Sequence, residues 1–383
     1  MLKRNLIVIL FLLLATADPA GAIKYKGDLE SNESITFPEQ SSKPASPAAT
    51  KHKLYFKDDG QTYSLDSSGN ERPVNWTGLK NKIINGNFDF WQRGASFLSI
   101  TITGTRVADR WFVWETGGIG GSVDITRQAF TPGQTDVPGE PEFYLRWATT
   151  AGDSYFRIMQ RIEDARVCAN RVLTFSYYAK ADAAVTVTTD GRYNFGSGGS
   201  GLLGFDAFDA SALTTSWQKF SGTITTPSVT GKTFGTSHFC EIEFQLASGN
   251  SRIIDIARVQ LEEGPAATAF EERPIALERL LVERYFRILG KGMTGGWGGS
   301  TLAVLGVTLD PPMRAACTLT LKDTTPTITE VGVTDRVGSS SSITYSTISA
   351  DGFRINISGF TGAATGNPAI STEDALLTCD SEL

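Results

Sequence analysis

The 383-residue sequence has little of what metal and proton-transfer chemistry usually draws on. It holds two histidines, His52 and His238. That excludes metal sites and acid–base machinery built on several imidazoles. The four cysteines, Cys168, Cys240, Cys317 and Cys379, form no C-x-x-C pair, which removes zinc-ribbon and thioredoxin-type readings. They are also too few for a disulfide scaffold of this length. Positive charge is not in excess: 35 Lys and Arg stand against 41 Asp and Glu, a net charge of −6. An electrostatic grip on nucleic-acid phosphates is therefore not the main task. A long apolar run occurs once, from Leu6 to Ala17, and it is too short to span a bilayer comfortably.

That run follows the basic start Met1-Leu-Lys-Arg and precedes Ala20-Gly-Ala22. The layout predicts a secretory signal peptide over residues 1–22, so that the mature chain starts near Ile23 and is exported. The alternative is an apolar tail kept in an assembly. No second long run follows, so no membrane association is expected after processing. Residues 23–50 carry Pro38, Pro44 and Pro47 among Ser, Ala, Glu and Lys, and read as an extended linker. In residues 51–75, two short alternating runs flank Asp59-Gly60, a hairpin signal.

With 39 glycines and 40% hydrophobic residues the chain suits β-structure with many turns around a core. Residues 81–270 carry about nine strand-like runs. In Val172–Tyr178 and Cys240–Leu246 one set of alternate residues is apolar, which predicts strands with one face in a core and one in solvent. Pro274 opens a helix in which Leu277, Leu281, Tyr285 and Ile288 share a face, ended by Gly290. Residues 291–383 are again β-rich. The expected fold is all-β: a jelly-roll or β-sandwich central domain over 81–270, a connecting helix over 271–290 and a smaller C-terminal β-domain over 291–383.

Ile83-Ile-Asn-Gly-Asn-Phe-Asp-Phe-Trp-Gln-Arg-Gly94 with Ala108-Asp-Arg-Trp111 resembles the opening of a bacteriophage tail-fibre or head-fibre (appendage) domain. Val259-Gln-Leu-Glu-Glu-Gly264, Ala267–Pro274 and Arg284-Tyr-Phe286 are similar to that domain's close and exit helix. Leu54–Gly60 with Asp66–Gly69 resembles a small β-module found upstream in such fibres, and the terminal region resembles their distal module. The resemblance implies a virion structural protein on the particle surface, with neighbouring virion proteins and homotrimeric assembly. It further implies a carbohydrate-binding-module-like jelly roll and host surface polysaccharide as ligand. The signal-like start departs from an ordinary tail fibre and keeps head fibre, spike and secreted prophage product open.

Sugar binding needs flat aromatics and polar groups. Trp111 and Trp114 are three apart, so a strand sends them to opposite faces and one is free to be exposed. Tyr193, in the run Asp190–Gly196, reads as a loop contact, and Trp217 is a further candidate. The competing reading for all four is core packing. Jelly-roll modules of this kind hold a structural Ca2+, and the resemblance places Asp89 and Asp255 at its acidic positions. The alternative is two solvated carboxylates. No G-x-S-x-G accompanies the histidines, and no enzyme is expected. A secreted or prophage-encoded glycan hydrolase using two carboxylates, or a purely architectural decoration, are the alternatives. The four cysteines read first as buried free thiols that act as small hydrophobes; with export, Cys317–Cys379 or Cys168–Cys240 can pair instead, since sequence alone does not fix partners.

Overall fold

The structure, a computed structural model, describes residues 39–57, 62–69, 71–73, 79–101, 104–116, 121–150, 155–247, 249–322, 324–339 and 341–383. The apolar segment 1–22, the linker's first part and the Asp59-Gly60 turn lie outside these residues. Among the described residues no helix is long and apolar enough to cross a membrane.

The chain divides into two compact units, 1–72 and 73–383. In the first, Lys53–Lys57 and Thr62–Leu65 form the expected hairpin, with Tyr55 opposite Tyr63. The hairpin is not isolated. Glu39–Gln40, expected in the linker, adds a parallel strand against Phe56 and Lys57, and Glu71–Pro73 adds a fourth. Four strands bury Tyr55, Tyr63 and Leu65 where two would leave them wet.

The second unit opens with a two-sheet sandwich of jelly-roll type. Sheet I runs Leu203–Gly204, Val185–Asn194, Phe239–Leu246, Tyr155–Glu163, Trp111–Thr116 and Thr105–Arg106, with Asp209–Leu213 also on Val185–Asn194. Sheet II runs Gln218–Thr225, Val172–Ala181, Ile253–Glu263, Phe143–Thr149, Val123–Ala129 and Ser96–Ile100. Both are antiparallel. The alternation read in Cys240–Leu246 holds: Cys240, Ile242, Phe244 and Leu246 enter the core with Trp111, Trp147, Phe175 and Tyr177. The cysteines are buried as expected but bonded rather than free, and Cys168–Cys240 ties the short helical turn Ala165–Cys168 to sheet I.

The residues that carry the appendage likeness knit the end of this sandwich. Ile83-Ile84, expected as a strand, has no regular ladder. Instead Lys82 N donates to Leu261 O, and the Asn81 amide donates to Val259 O while its oxygen accepts from Leu261 N. Asn85, at φ 57°, places its side chain between Phe90 and Asp109, and Trp111 Nε1 donates to Asn85 O. A Cβ on Gly86 would lie 2.2 Å from Val259 O, so only glycine lets this segment close on the last strand. Gln260 and Glu262 hold the following loop through Glu271 N and Thr268.

The connecting helix spans Ile275–Glu283 and ends well short of Gly290. Phe286–Leu289 leaves it to pair with Leu377–Asp380, which also pairs with Thr318–Leu321. The ladder supplies backbone partners that a longer helix would forgo, and Cys317–Cys379 links the same strands. The helix's buried positions are Glu278 and Val282; Glu278 accepts from Asn85 N and Arg273. Tyr285, expected on an open apolar stripe, is covered by the Arg110 guanidinium 3.5 Å above its ring. Leu277 and Leu281 are half-buried, while Ile275 and Leu280 face outward. The rest of the terminal region is a seven-stranded antiparallel sheet over a second core around Trp297, Leu305, Ile355 and Phe360.

Candidate functional site: the outer face of sheet I

Alternation along four neighbouring strands sends a second set of side chains outward. Across the ladder, Trp114 stands opposite Arg157, Arg157 opposite Gln245, and Gln245 opposite Thr188. The next row is Arg106, Phe112, Met159, Glu243 and Asp190. Beyond it Arg161, Glu241 and Arg192 face one another. Directly opposed side chains on a sheet lie about 5 Å apart at Cβ, so these rows form one continuous layer, in which Phe112 and Met159 are themselves buried.

Its middle is an alternating array of guanidinium and carboxyl groups. Arg161 Nε donates to Glu241 Oε2 at 2.9 Å, and Arg192 contacts the other Glu241 oxygen. Arg192 also reaches Glu243 Oε2 at 3.5 Å, and Arg157 reaches Glu243 Oε1 at 3.4 Å. The carboxylates of this strand were expected in solvent. They are instead packed beneath the arginines, Glu241 at 1% and Glu243 at 4% exposure. Burial, followed by the facing charge of Asp190, pushes the Glu243 carboxyl up to about 8. No hydrogen bond from the described residues reaches Glu243 Oε2 or Arg157 Nε, both buried atoms. Aromatic rings line the same face: the Arg161 guanidinium lies 4.6 Å from the Phe112 centroid, 4.5 Å from Phe239 and 6.0 Å from Trp114. The Leu383 backbone oxygen accepts from Arg161 and Arg106, closing that end.

The four aromatic candidates separate. Trp111 points into the core at 1% exposure and cannot meet a ligand. Trp114, on the other face of the strand, is half-buried at the rim of the array. Tyr193 is not in a loop: it belongs to the strand Val185–Asn194, faces the core, and its hydroxyl donates to Pro227 O at 2.9 Å. The strand continues through Gly191 because sheet pairing with Ile242 overrides the turn signal of Asp190-Gly191. Trp217 lies against sheet II, half-buried beside Phe130 and Tyr144, with Lys180 5.2 Å above its ring.

Asp89 and Asp255 do not fit a calcium site. Asp255 accepts from Arg146 at 2.7 and 2.9 Å and faces Lys180 at 3.7 Å, so both its oxygens are already engaged by cationic side chains. Among the described residues the Asp89 carboxylate takes its hydrogen bonds from the Asn87 amide, and it opens on a separate cavity of about 260 Å³ with Glu142, Glu278 and Arg258. Burial raises it to about 6. Among the described residues no three His, Cys, Asp or Glu side chains group as metal ligands, and calcium takes six to eight oxygens.

Sequence reasoning missed the arginine–glutamate array. Its signal was there: Arg157, Arg161 and Glu163 on one strand alternate with apolar residues, as do Glu241 and Glu243 on the next. What the sequence lacked was the register that opposes them.

No family model matches the chain, and neither does any curated protein. Several solved structures are similar to a little under half of it. A family 4 carbohydrate-binding module is 19% identical, covering 47% of this chain and 97% of its own length, at a TM-score of 0.29. The family 11 carbohydrate-binding module from Clostridium thermocellum, in complex with a β-1,3-1,4-mixed-linked tetrasaccharide, is 13% identical over 44% of this chain and 95% of its own, at 0.28. The enzymatically active domain of Bacteriophage CBA120 tailspike protein 4 is 15% identical over 48% of this chain, at 0.31; the match spans 21% of that protein.

Proposed function

We propose that the chain is a non-enzymatic, glycan-binding subunit of a phage appendage, a tail or head fibre, exported or carried on the particle surface and assembled as a homotrimer. The observation that carries the glycan reading is the outer face of sheet I. It sets Trp114 beside a fixed row of hydrogen-bonding groups, Arg157, Gln245 and Thr188, on a rigid ladder. An aromatic plane beside fixed donors and acceptors is what a pyranose ring and its hydroxyls require. The appendage reading rests on the sequence resemblance at Ile83–Gly94 and Val259–Gly264.

A hydrolase would need two carboxylates free to work on one bond. Glu241 is held by Arg161 and Arg192, which favours a structural role for it. Incubation with host surface polysaccharide tests the reading. Retention of the polysaccharide without release of sugars supports it. Released sugars would favour the hydrolase, and neither retention nor release would favour plain decoration.

A further inference from the structure

We infer that the glycan taken by the outer face of sheet I is acidic, with a sugar carboxylate seated on Arg157 beside Trp114. The inference rests on the glycan reading above and names its ligand class.

Four guanidinium groups lie on this face, from Arg106, Arg157, Arg161 and Arg192, with four carboxyl groups, from Glu163, Asp190, Glu241 and Glu243; Glu163 is held by Arg284 and Tyr285. Burial holds Glu243 neutral to about pH 8, so at neutral pH the Arg157 guanidinium beside it faces a carboxyl group without charge.

The arginines are not equivalent. Arg161 has Glu241 and Leu383 O, Arg192 has Glu241, and Arg106 has Leu383 O. Among the described residues Arg157 has only the 3.4 Å approach to Glu243, a group that stays protonated and so repays it little. Its Nε lacks any acceptor among the described residues, and its side chain is 18% exposed. Nε is buried, so the exposed part of the side chain is what meets a ligand, and a carboxylate takes two parallel hydrogen bonds from the terminal guanidinium nitrogens. Trp114, directly opposite Arg157 on the next strand, is placed to hold the ring that carries the carboxylate.

A glycan array with matched acidic and neutral oligosaccharides tests this on the full chain. Each acidic glycan bound is then compared with its carboxyl-reduced form by calorimetry. We expect the reduced form to bind at least about 10-fold more weakly, and the acidic form to weaken as salt rises from 0.05 to 0.5 M. Arg157→Gln should abolish the preference, and Arg157→Lys should keep part of it, since charge persists without the fork. Reduction of the ligand leaves the protein untouched, so the comparison survives a variant that fails to fold. Equal affinity for acidic and reduced forms, or binding of neutral glycans only, would overturn the acidic assignment while leaving the glycan reading intact. An array on which nothing binds would remove both.

Discussion

Trp111 and Trp114 sit three residues apart on one strand and face opposite sides of sheet I: one is sealed in the core, the other stands at the rim of the arginine–glutamate array. The pair separates stability from binding. Trp111→Ala removes a ring packed on Phe88 and Phe244 and should cost about 3–5 kcal/mol. Trp114→Ala should leave the melting temperature within a few degrees and remove glycan binding. Thermal unfolding beside a pull-down on polysaccharide checks both. Equal destabilisation by the two variants would contradict the assignment of faces.

Glu243 should give the chain a distinctive pH dependence. Buried, and faced by Asp190, Arg157 and Arg192, it keeps its proton to about pH 8, against an ordinary value of 4.5. Between those values the folded chain holds a proton that the unfolded chain has lost, so stability falls as pH rises and levels off above 8. Glu243→Gln should flatten that part of the profile. Urea midpoints of wild type and variant from pH 4 to 9 measure the difference, and superimposable profiles would refute it.

The disulfides Cys168–Cys240 and Cys317–Cys379 close separations of 72 and 62 residues. Removing either should cost about 2–4 kcal/mol, chiefly by freeing the unfolded chain. Peptide mapping without reductant should recover both cross-links from exported protein. Four alkylatable thiols in native material would contradict them.

Self-association, if the trimer reading holds, should involve the helix Ile275–Glu283, where Ile275 and Leu280 are 61% and 46% exposed. Light scattering on residues 23–383 should give three copies, and Ile275→Asp with Leu280→Asp should lower that number, because charge placed in a dry seam is costly. A wild-type monomer at micromolar concentration would sink the trimer.

The all-β class and strands such as Val172–Ala181 and Phe239–Leu246 were legible from period-two alternation, because a half-buried strand repeats its pattern every second residue. Trp111 and Trp114 were separable on the same ground. Tyr193 was misread because Asp190-Gly191 imitates a turn, whereas sheet pairing decides the matter. The helix was overextended because Tyr285 and Ile288, three apart, continue the helical stripe of Leu277 and Leu281, and only pairing with the distant Leu377–Asp380 turns Phe286–Leu289 into a strand. Likewise, the array that makes the candidate site depends on register between strands about 80 residues apart in sequence, such as Arg161 opposite Glu241, and register leaves no local mark.

The central claim is that sheet I, by its outer face, is where glycan binds. The most direct measurement compares the glycan affinity of the wild type, Trp114→Ala and Trp217→Ala, each verified as folded. The account predicts that Trp114→Ala loses binding while Trp217→Ala, altered on the opposite sheet, retains wild-type affinity. Loss with Trp217→Ala and full retention with Trp114→Ala would contradict it.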